Sequence, residues 1–419
     1  MRSPGLGIVL AVVVGLLASL PLPAHSHGGV PAPQQILWRG DSLLLPTPYW
    51  GLFVRSPQGE WHWICDEAIN AYQQHTFAVG SDGTLYVTDR AGMQVSRDGG
   101  CTWESIAGPL STLYIVNIQA MAQSPRIWVL ASSDGGGASL WTSDDQGQSW
   151  QQRLDARDVW PAGVRVSADG QTIVAGVMTS AAPRQAQLLL SQDGGKTFAT
   201  QTIFHLVGGQ PLSQLTPLWI DPLPPHDIWL AGRFDAVSVL LQLQGSTTPR
   251  EHLRLTVSIF DMLADPQSGT LVVATAGGLY SQSAGSPFGQ LSTLSTSRCL
   301  SAHADGLYAC GWNFQPDLAA VVQLQQSATQ RTRVFQYQDT IGPQSCPAES
   351  PVAKVCSMAW NIYADQLGIP ARTAPAPAPS GCALTTASRP DGSGRTLFVM
   401  LSSLLALGYL WRRRRQHSE

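Results

Sequence analysis

Ser96-Arg97-Asp98-Gly99-Gly100-Cys101-Thr102-Trp103 is the stretch that decides the fold. It recurs as Ser143-Asp144-Asp145-Gln146-Gly147-Gln148-Ser149-Trp150 and as Ser191-Gln192-Asp193-Gly194-Gly195-Lys196-Thr197-Phe198. From Ser to Ser the steps are 47 and 48 residues. Each copy reads as a stapled hairpin turn. The Ser and Asp side chains bond backbone amides across the turn. The glycines permit the positive φ such a turn requires, and the closing Trp or Phe drops into the core as an anchor. Even repeats of this length mean a propeller or a solenoid.

Fainter copies extend the count. Ser281 to Phe288 keeps the frame but lacks the Asp, and it lies 90 residues after Ser191, two steps on. Ser56 to Trp61 is a shortened copy 40 residues before Ser96. A second marker, read as an inner strand, is a turn followed by an apolar or aromatic run. It occurs at Leu43-Leu44-Leu45, Leu85-Tyr86-Val87, Ile127-Trp128-Val129, Ile173-Val174-Ala175, Ile228-Trp229-Leu230, Leu271-Val272-Val273 and Leu307-Tyr308-Ala309. The two units without a visible turn motif have outer strands at Val239 to Leu243 and Val321 to Gln325. The markers count seven units of about four short strands, with six or eight left open. Gln35 to Trp38 is the candidate strand for closing the ring on the last unit. A helix is expected around Val352 to Leu367, where Cys356, Trp360 and Tyr363 share spacing.

The three strong copies resemble the Asp-box (BNR) family motif S-x-D-x-G-x-T-W. The motif residues here are Ser96, Asp98, Gly100 and Trp103, then Ser143, Asp145, Gly147 and Trp150, then Ser191, Asp193, Gly195 and Phe198. The resemblance implies an all-β, single β-propeller, with the box joining the outer two strands of each blade. It makes these residues structural.

Of the 419 residues, 44% are apolar, enough for a large core, and only 13% are charged, against roughly 25% in an average soluble chain. The formal net charge is −3, which excludes a basic field for nucleic acid. Seven cysteines suit an oxidising compartment. Sequence order suggests the pairs Cys65–Cys101, Cys299–Cys310 and Cys346–Cys356, one of about 15 ways to pair six. Cys299 and Cys310 have the best local argument, because His303 to Gly306 forms a turn that sets them opposite each other.

Both ends read as targeting segments. Residues 1–26 carry Arg2, an apolar run from Gly5 to Leu20, Pro21 and Pro23, and small residues at Ala24 and Ser26. That is the layout of a secretory signal peptide. The propeller then spans residues 27–345, with a cysteine-bearing extension over 346–368. Residues 369–395 form a Pro/Ala-rich linker and spacer, extended by its prolines. An apolar run over 396–411 is long enough to cross a bilayer with snorkelling flanks, and Arg412, Arg413, Arg414 and Arg415 open a tail over 412–419 that stays cytoplasmic. Cys382, a short spacer, the apolar segment and the arginine cluster resemble the MYXO-CTERM sorting tail of myxobacteria. The resemblance implies removal of the helix by sorting machinery and attachment at the cell surface through Cys382. Arg389, Asp391, Arg395 and the trailing Gln416 to Glu419 depart from that pattern, and the alternative is an uncleaved membrane anchor.

Chemistry is harder to find. Asp-box propellers include sialidases, but Arg126-Ile127-Trp128 is a strand and not their Arg-Ile-Pro motif. Glu60, Glu104 and Glu251 sit near turn ends. A glycosidase needs two carboxylates at a defined separation, and Asp221, Asp227, Asp235 and Asp261 are placed in loops of the middle units. Their other reading is turn initiation, as in Asp221-Pro222. His62, His205 and His252 show no metal-ligand spacing, Asp144 and Asp145 lack the calcium-loop pattern, and no phosphate- or dinucleotide-binding motif occurs. No cofactor and no catalytic residue is assigned. Trp50, Trp160, Trp219 and Trp312 fall in expected loops, where rings stack on sugars or anchor an interface. The function expected is a non-catalytic module binding protein or glycan, or a scaffold of the kind that photosystem assembly factors resemble. The alternative is a glycoside hydrolase.

Overall fold

The computed structural model describes residues 31–71, 76–89, 92–132, 136–203, 206–222, 226–244, 248–283, 285–292, 297–311, 319–325 and 330–369. Over these the chain is a seven-bladed β-propeller. Blade 1 orders Leu37–Arg39, Ser42–Thr47, Gly51–Arg55 and Trp61–Ile64 from the ring axis outward. Blade 2 follows with Phe77–Val79, Leu85–Asp89, Gly92–Ser96 and Glu104–Ser105, and blade 3 with Tyr114–Ala120, Ile127–Ser132, Gly137–Ser143 and Gln151–Arg157. Blades 4 to 7 begin at Val159, Gln214, Ile259 and Ser297, each again of four antiparallel strands.

The apolar triplets that count the blades lie on the second strand, one of the two inner strands of each blade. The reason is burial. A second strand is hydrogen-bonded on both edges and covered on both faces by neighbouring blades, so all six residues of Ile127–Ser132 are buried. The first strand, Tyr114–Ala120, faces the axis and mixes exposed, half-buried and buried positions. Continuous apolar runs mark strands covered on both faces. The apolar clusters accordingly lie between blades. Trp128 and Leu130 of blade 3 pack with Val164, Ile173 and Leu189 of blade 4, and Val174 and Leu188 of blade 4 pack with Leu215, Leu230 and Val239 of blade 5.

The stapled turns join the third and fourth strands. In blade 2, Ser96 Oγ donates to Asp98 Oδ1 at 2.9 Å and accepts from Gly100 N at 2.8 Å. Asp98 also accepts from Thr102 N at 3.0 Å and Thr102 Oγ1 at 2.7 Å. Blade 3 repeats the set with Ser143, Asp145, Gly147 and Ser149, and blade 4 with Ser191, Asp193, Gly195 and Thr197. Trp103 Nε1 caps Gly100 O at 2.9 Å. Gly195 has φ +82°, and a Cβ there would lie 2.5 Å from the buried Trp128 ring of the preceding blade. Gly147 lies in the same way over Tyr86, whose hydroxyl donates to Gln146 O at 2.9 Å. Each staple therefore closes its own blade and seats it on the last. The decayed copies at Ser56 and Ser281 occupy the same third-to-fourth connection, held by Glu60 N to Ser56 Oγ and by Gln282 Nε2 to Ser286 O.

Ring closure departs from the sequence reading. Leu37–Arg39 is the innermost strand of blade 1, paired with Ser42–Thr47, and does not extend blade 7. Blade 7 already has four strands of its own chain, ending with Gln330–Phe335. The chain instead crosses to blade 1, where Thr340–Pro343 adds parallel to Trp61–Ile64 and covers that open edge. Trp61 stacks on Phe335 at 3.9 Å and seals the seam. A π-turn over Val352–Cys356 and a helix over Ser357–Gln366 follow, with Tyr363 packed on Trp50 and Trp63.

This crossing corrects two of the three cysteine pairs. Cys65 bonds Cys356 and Cys101 bonds Cys346, while Cys299 bonds Cys310 across a hairpin. Pairing by sequence order assumes local hairpins, whereas the returning strand carries 346 and 356 to the first two blades. Cys65→Ser opens a loop of 291 residues, and loss of such a long-range link is expected to cost about 2–5 kcal/mol in urea unfolding. Non-reducing peptide mapping that joins 65 to 101 would contradict the clasp.

In the blade 3 staple, the Ser149 hydroxyl and the backbone amides hold the Asp145 carboxyl at about 2, against a smaller upward push from burial. The folded value lies below the unfolded one, so the contribution is complete above about pH 4 and lost as pH falls toward 2. Asp145→Ala should lower the melting temperature at pH 7 by roughly 2–8 °C. The gap from wild type should narrow at pH 2, and thermal melts at both pH values check it.

Candidate functional site

The seven innermost strands enclose a central channel of about 810 Å³. Its polar side chains arise on strands that are otherwise apolar, and most of them bond the neighbouring blade. Gln35 Oε1 accepts from Phe77 N at 2.9 Å. Gln119 takes both backbone groups of Val166, accepting from N at 2.9 Å and donating to O at 3.1 Å, and Asn117 Oδ1 accepts from Val164 N at 3.3 Å. Arg165 Nε donates to Leu218 O at 2.8 Å, and its Nη1 to Val164 O at 3.1 Å. Trp38 Nε1 donates to Ser301 Oγ at 3.1 Å, and its ring stacks on His303 at 4.0 Å.

Asp261 is the one carboxylic acid among the described residues that line the channel. It lies on the innermost strand of blade 6, not in a loop as its sequence position suggested, because its segment Ile259–Ala264 pairs with Leu271–Thr275. Its Oδ1 accepts from Met262 N and its Oδ2 from Leu300 N, both at 2.9 Å. Burial pushes its carboxyl above the usual carboxylate range, opposed by the Arg165 charge and these two amides. Beside it, Arg298 lies over the Phe260 ring, 5.4 Å from the centroid.

The other carboxylates separate. Asp221 and Asp227 line a smaller cleft of about 280 Å³ between blades 5 and 6, with Trp219, Trp229, Gln242 and His252. Asp227 Oδ2 accepts from Gln242 Nε2 at 2.7 Å and Gln244 Nε2 at 3.0 Å. Gln242 Oε1 faces His252 Nε2 at 2.6 Å, which places the imidazole proton on Nε2. Burial, then the charge of Arg250, lowers the His252 pKa. Asp235 lies in a turn between strands at φ +52° and joins neither cavity. Glu251 is paired with Arg254 at 2.7 Å. His62 lies on a strand, and His205 is outside the described residues.

Of the four loop tryptophans, Trp50 is in a turn but buried at 3% exposure, and Trp219 is on an innermost strand. Trp160 is on a strand end at 40% exposure, and Trp312 is outside the described residues. So are residues 1–26, Cys382, the run over 396–411 and Arg412 to Arg415. Among the described residues no helix is long and apolar enough to cross a membrane, and no three His, Cys, Asp or Glu side chains gather as a metal would require. Sequence reasoning missed Arg165, Arg298 and the amide stitches. The available signal was a single charge inside an apolar run, as in Val164-Arg165-Val166.

No protein-family model matches the chain, and no curated protein matches it. Among solved structures, it is similar to a puromycin-hydrolyzing peptidase of Mycobacterium tuberculosis. The TM-score is 0.51 and the identity 11%, over 75% of this chain and 54% of that one. A GH74 xyloglucanase from Xanthomonas campestris matches with a TM-score of 0.47 and 18% identity, over 68% and 52% of the two chains. The extracellular domain of BT4673, from a hybrid two component system of B. thetaiotaomicron, gives 0.36 and 13%, over 72% and 40%. The chain spans about half the length of these proteins or less, and the likeness is one of fold. The three disulfides are consistent with an exported protein.

Asp261→Ala strands the amides of Met262 and Leu300 and should cost about 1–3 kcal/mol in urea unfolding. Because the folded pKa of Asp261 is raised, its contribution is complete below the unfolded value and lost as pH rises through the folded one. Stability measured from pH 4 upward should therefore decline more in wild type than in Asp261→Ala.

Proposed function

We propose that this chain is an exported Asp-box propeller, held at the cell envelope by its C-terminal segment, that binds a protein or glycan without turning it over. The observation that carries the non-catalytic reading is the acid content of the channel. Glycoside hydrolysis needs two carboxyl groups, roughly 5–9 Å apart, one of them free to give or take a proton. Among the described residues, the channel lining offers Asp261 alone, with both oxygens engaged by backbone amides. Its remaining polar groups chiefly bond backbone across blade seams. What they leave is a walled, preformed cavity, the usual form of a ligand site.

The signal-peptide layout and the disulfides support export. Cys382, the apolar run and Arg412 to Arg415 support anchoring, through the sorting-tail resemblance or as a simple membrane span. The hydrolase reading keeps one supporting observation, the cleft that brings Asp221, Asp227 and His252 together.

A screen of the purified full chain on chromogenic glycosides, run beside glycan-array and protein capture, separates the two. Capture without turnover is the expected result. Turnover abolished by Asp227→Asn would place a hydrolase in the cleft and end the binding-module reading.

A further inference from the structure

We infer that the cleft between blades 5 and 6 is a sugar site, in which Asp227 takes the hydroxyl hydrogens of one neutral sugar unit. It rests on the binding-module reading and deepens it, by naming a ligand class and a place apart from the central channel.

The cleft lies where other seams are shut. In blades 3 and 4 the motif glycine sits on the aromatic at the centre of the apolar triplet in the preceding blade. A Cβ on Gly147 would lie 3.3 Å from Tyr86, and one on Gly195 2.5 Å from Trp128. Blade 6 carries the decayed copy Ser281 to Phe288, whose glycine is Gly285, and the matching aromatic of blade 5 is Trp229. Ser283 stands where the motif has its Asp, so the carboxylate that bonds the turn amides in blades 2 to 4 has no counterpart there. Among the described residues, nothing beyond its chain neighbours lies within 4 Å of a Cβ built on Gly285. Phe288 still reaches Trp229, with ring centroids 6.2 Å apart, which holds the seam while the turn stands off. Gly285, Ser283 and Trp229 all line the space between, about 280 Å³, which admits a single sugar unit.

Gln242 Nε2 and Gln244 Nε2 hold Oδ2 of Asp227 at 2.7 and 3.0 Å, and His252 holds Gln242 in turn. The other oxygen, Oδ1, is buried and has no hydrogen-bond partner among the described residues. A carboxylate oxygen kept from water without a donor is costly, so the cleft favours a ligand that brings one. No Lys or Arg is among the described residues lining the cleft, which leaves the negative charge of Asp227 to repel an anion. A hydroxyl meets the need as a neutral donor. Half-buried Trp219 and His252 supply ring surface in the same cleft. A sugar presents both parts, O–H groups at its rim and a C–H face that packs on rings.

Calorimetric titration of the full chain with the methyl glycosides of glucose, galactose, mannose and xylose tests this, beside glucuronate and methylammonium. Saturable binding of at least one neutral glycoside is expected, with none of glucuronate or methylammonium. Asp227→Asn keeps an acceptor for the two glutamines, turns the other oxygen into a donor, and should weaken binding roughly tenfold or more. Ser283→Trp fills the cleft from an exposed turn and should abolish binding, with circular dichroism confirming that the ring is intact. Asp235→Asn removes the same charge from an exposed turn of blade 5 that lines neither cavity, and should leave binding unchanged. No saturable binding of any neutral glycoside, binding of glucuronate or methylammonium in their place, or equal losses from Asp227→Asn and Asp235→Asn would each overturn the site. Capture of a glycan or protein that a folded Ser283→Trp retains in full would also overturn it while leaving the binding-module reading intact. Glycoside turnover that is lost in Asp227→Asn would end both.

Discussion

The structure depends on how seven separate sheets are kept in register around an axis. Each blade is a separate sheet, and among the described residues no strand ladder joins one blade to the next. The innermost strands would leave backbone groups facing the channel without strand partners, and unpaired backbone groups away from bulk water are costly. The chain answers with side chains. Gln35, Asn117, Gln119, Arg165 and Asp261 each reach the next blade and bond its backbone. These stitches set the spacing of the inner strands, and that spacing sets the width of the channel.

Further out, the same problem has a second answer. The stapled turns bring a glycine against the buried aromatic of the preceding blade, Gly195 on Trp128 and Gly147 on Tyr86. A Cβ would clash with Trp128 at 2.5 Å and crowd Tyr86 at 3.3 Å, so the motif's glycine serves the ring as well as the turn. The last seam has no such turn and uses a different device. A parallel strand, a cluster built on Phe53, Trp61, Phe335 and Tyr337, and two long-range disulfides fasten the C-terminal extension to blades 1 and 2. Among the described residues, the largest apolar cluster sits at this closure.

Scaffold and site are therefore built from overlapping residues. Among the described residues, most polar groups of the channel bond backbone or a neighbouring side chain. Arg165 bonds Leu218 O of the next blade and opposes the burial that pushes Asp261 upward. The cleft between blades 5 and 6 is a separate environment, where Asp227, Gln242 and His252 form a hydrogen-bonded chain.

The sequence by itself determined the local units: the turn chemistry, the blade count, the second-strand cores, the helix after residue 350 and the Cys299–Cys310 hairpin link. The turns, the hairpin link and the helix are set by near neighbours and the blade count by an even repeat, and such patterns survive in a linear text. Tertiary structure decided whatever joins distant segments. It put Leu37–Arg39 in blade 1, laid Thr340–Pro343 on Trp61–Ile64, and re-paired four cysteines across loops of 245 and 291 residues. It also moved Asp261 from an expected loop into the channel and gathered Arg165, Asp261 and Arg298 from three blades. The repeat spacing says that a ring forms. Which end closes it, and which side chains meet at its axis, follow from blade edges and packing that exist only once the ring is folded.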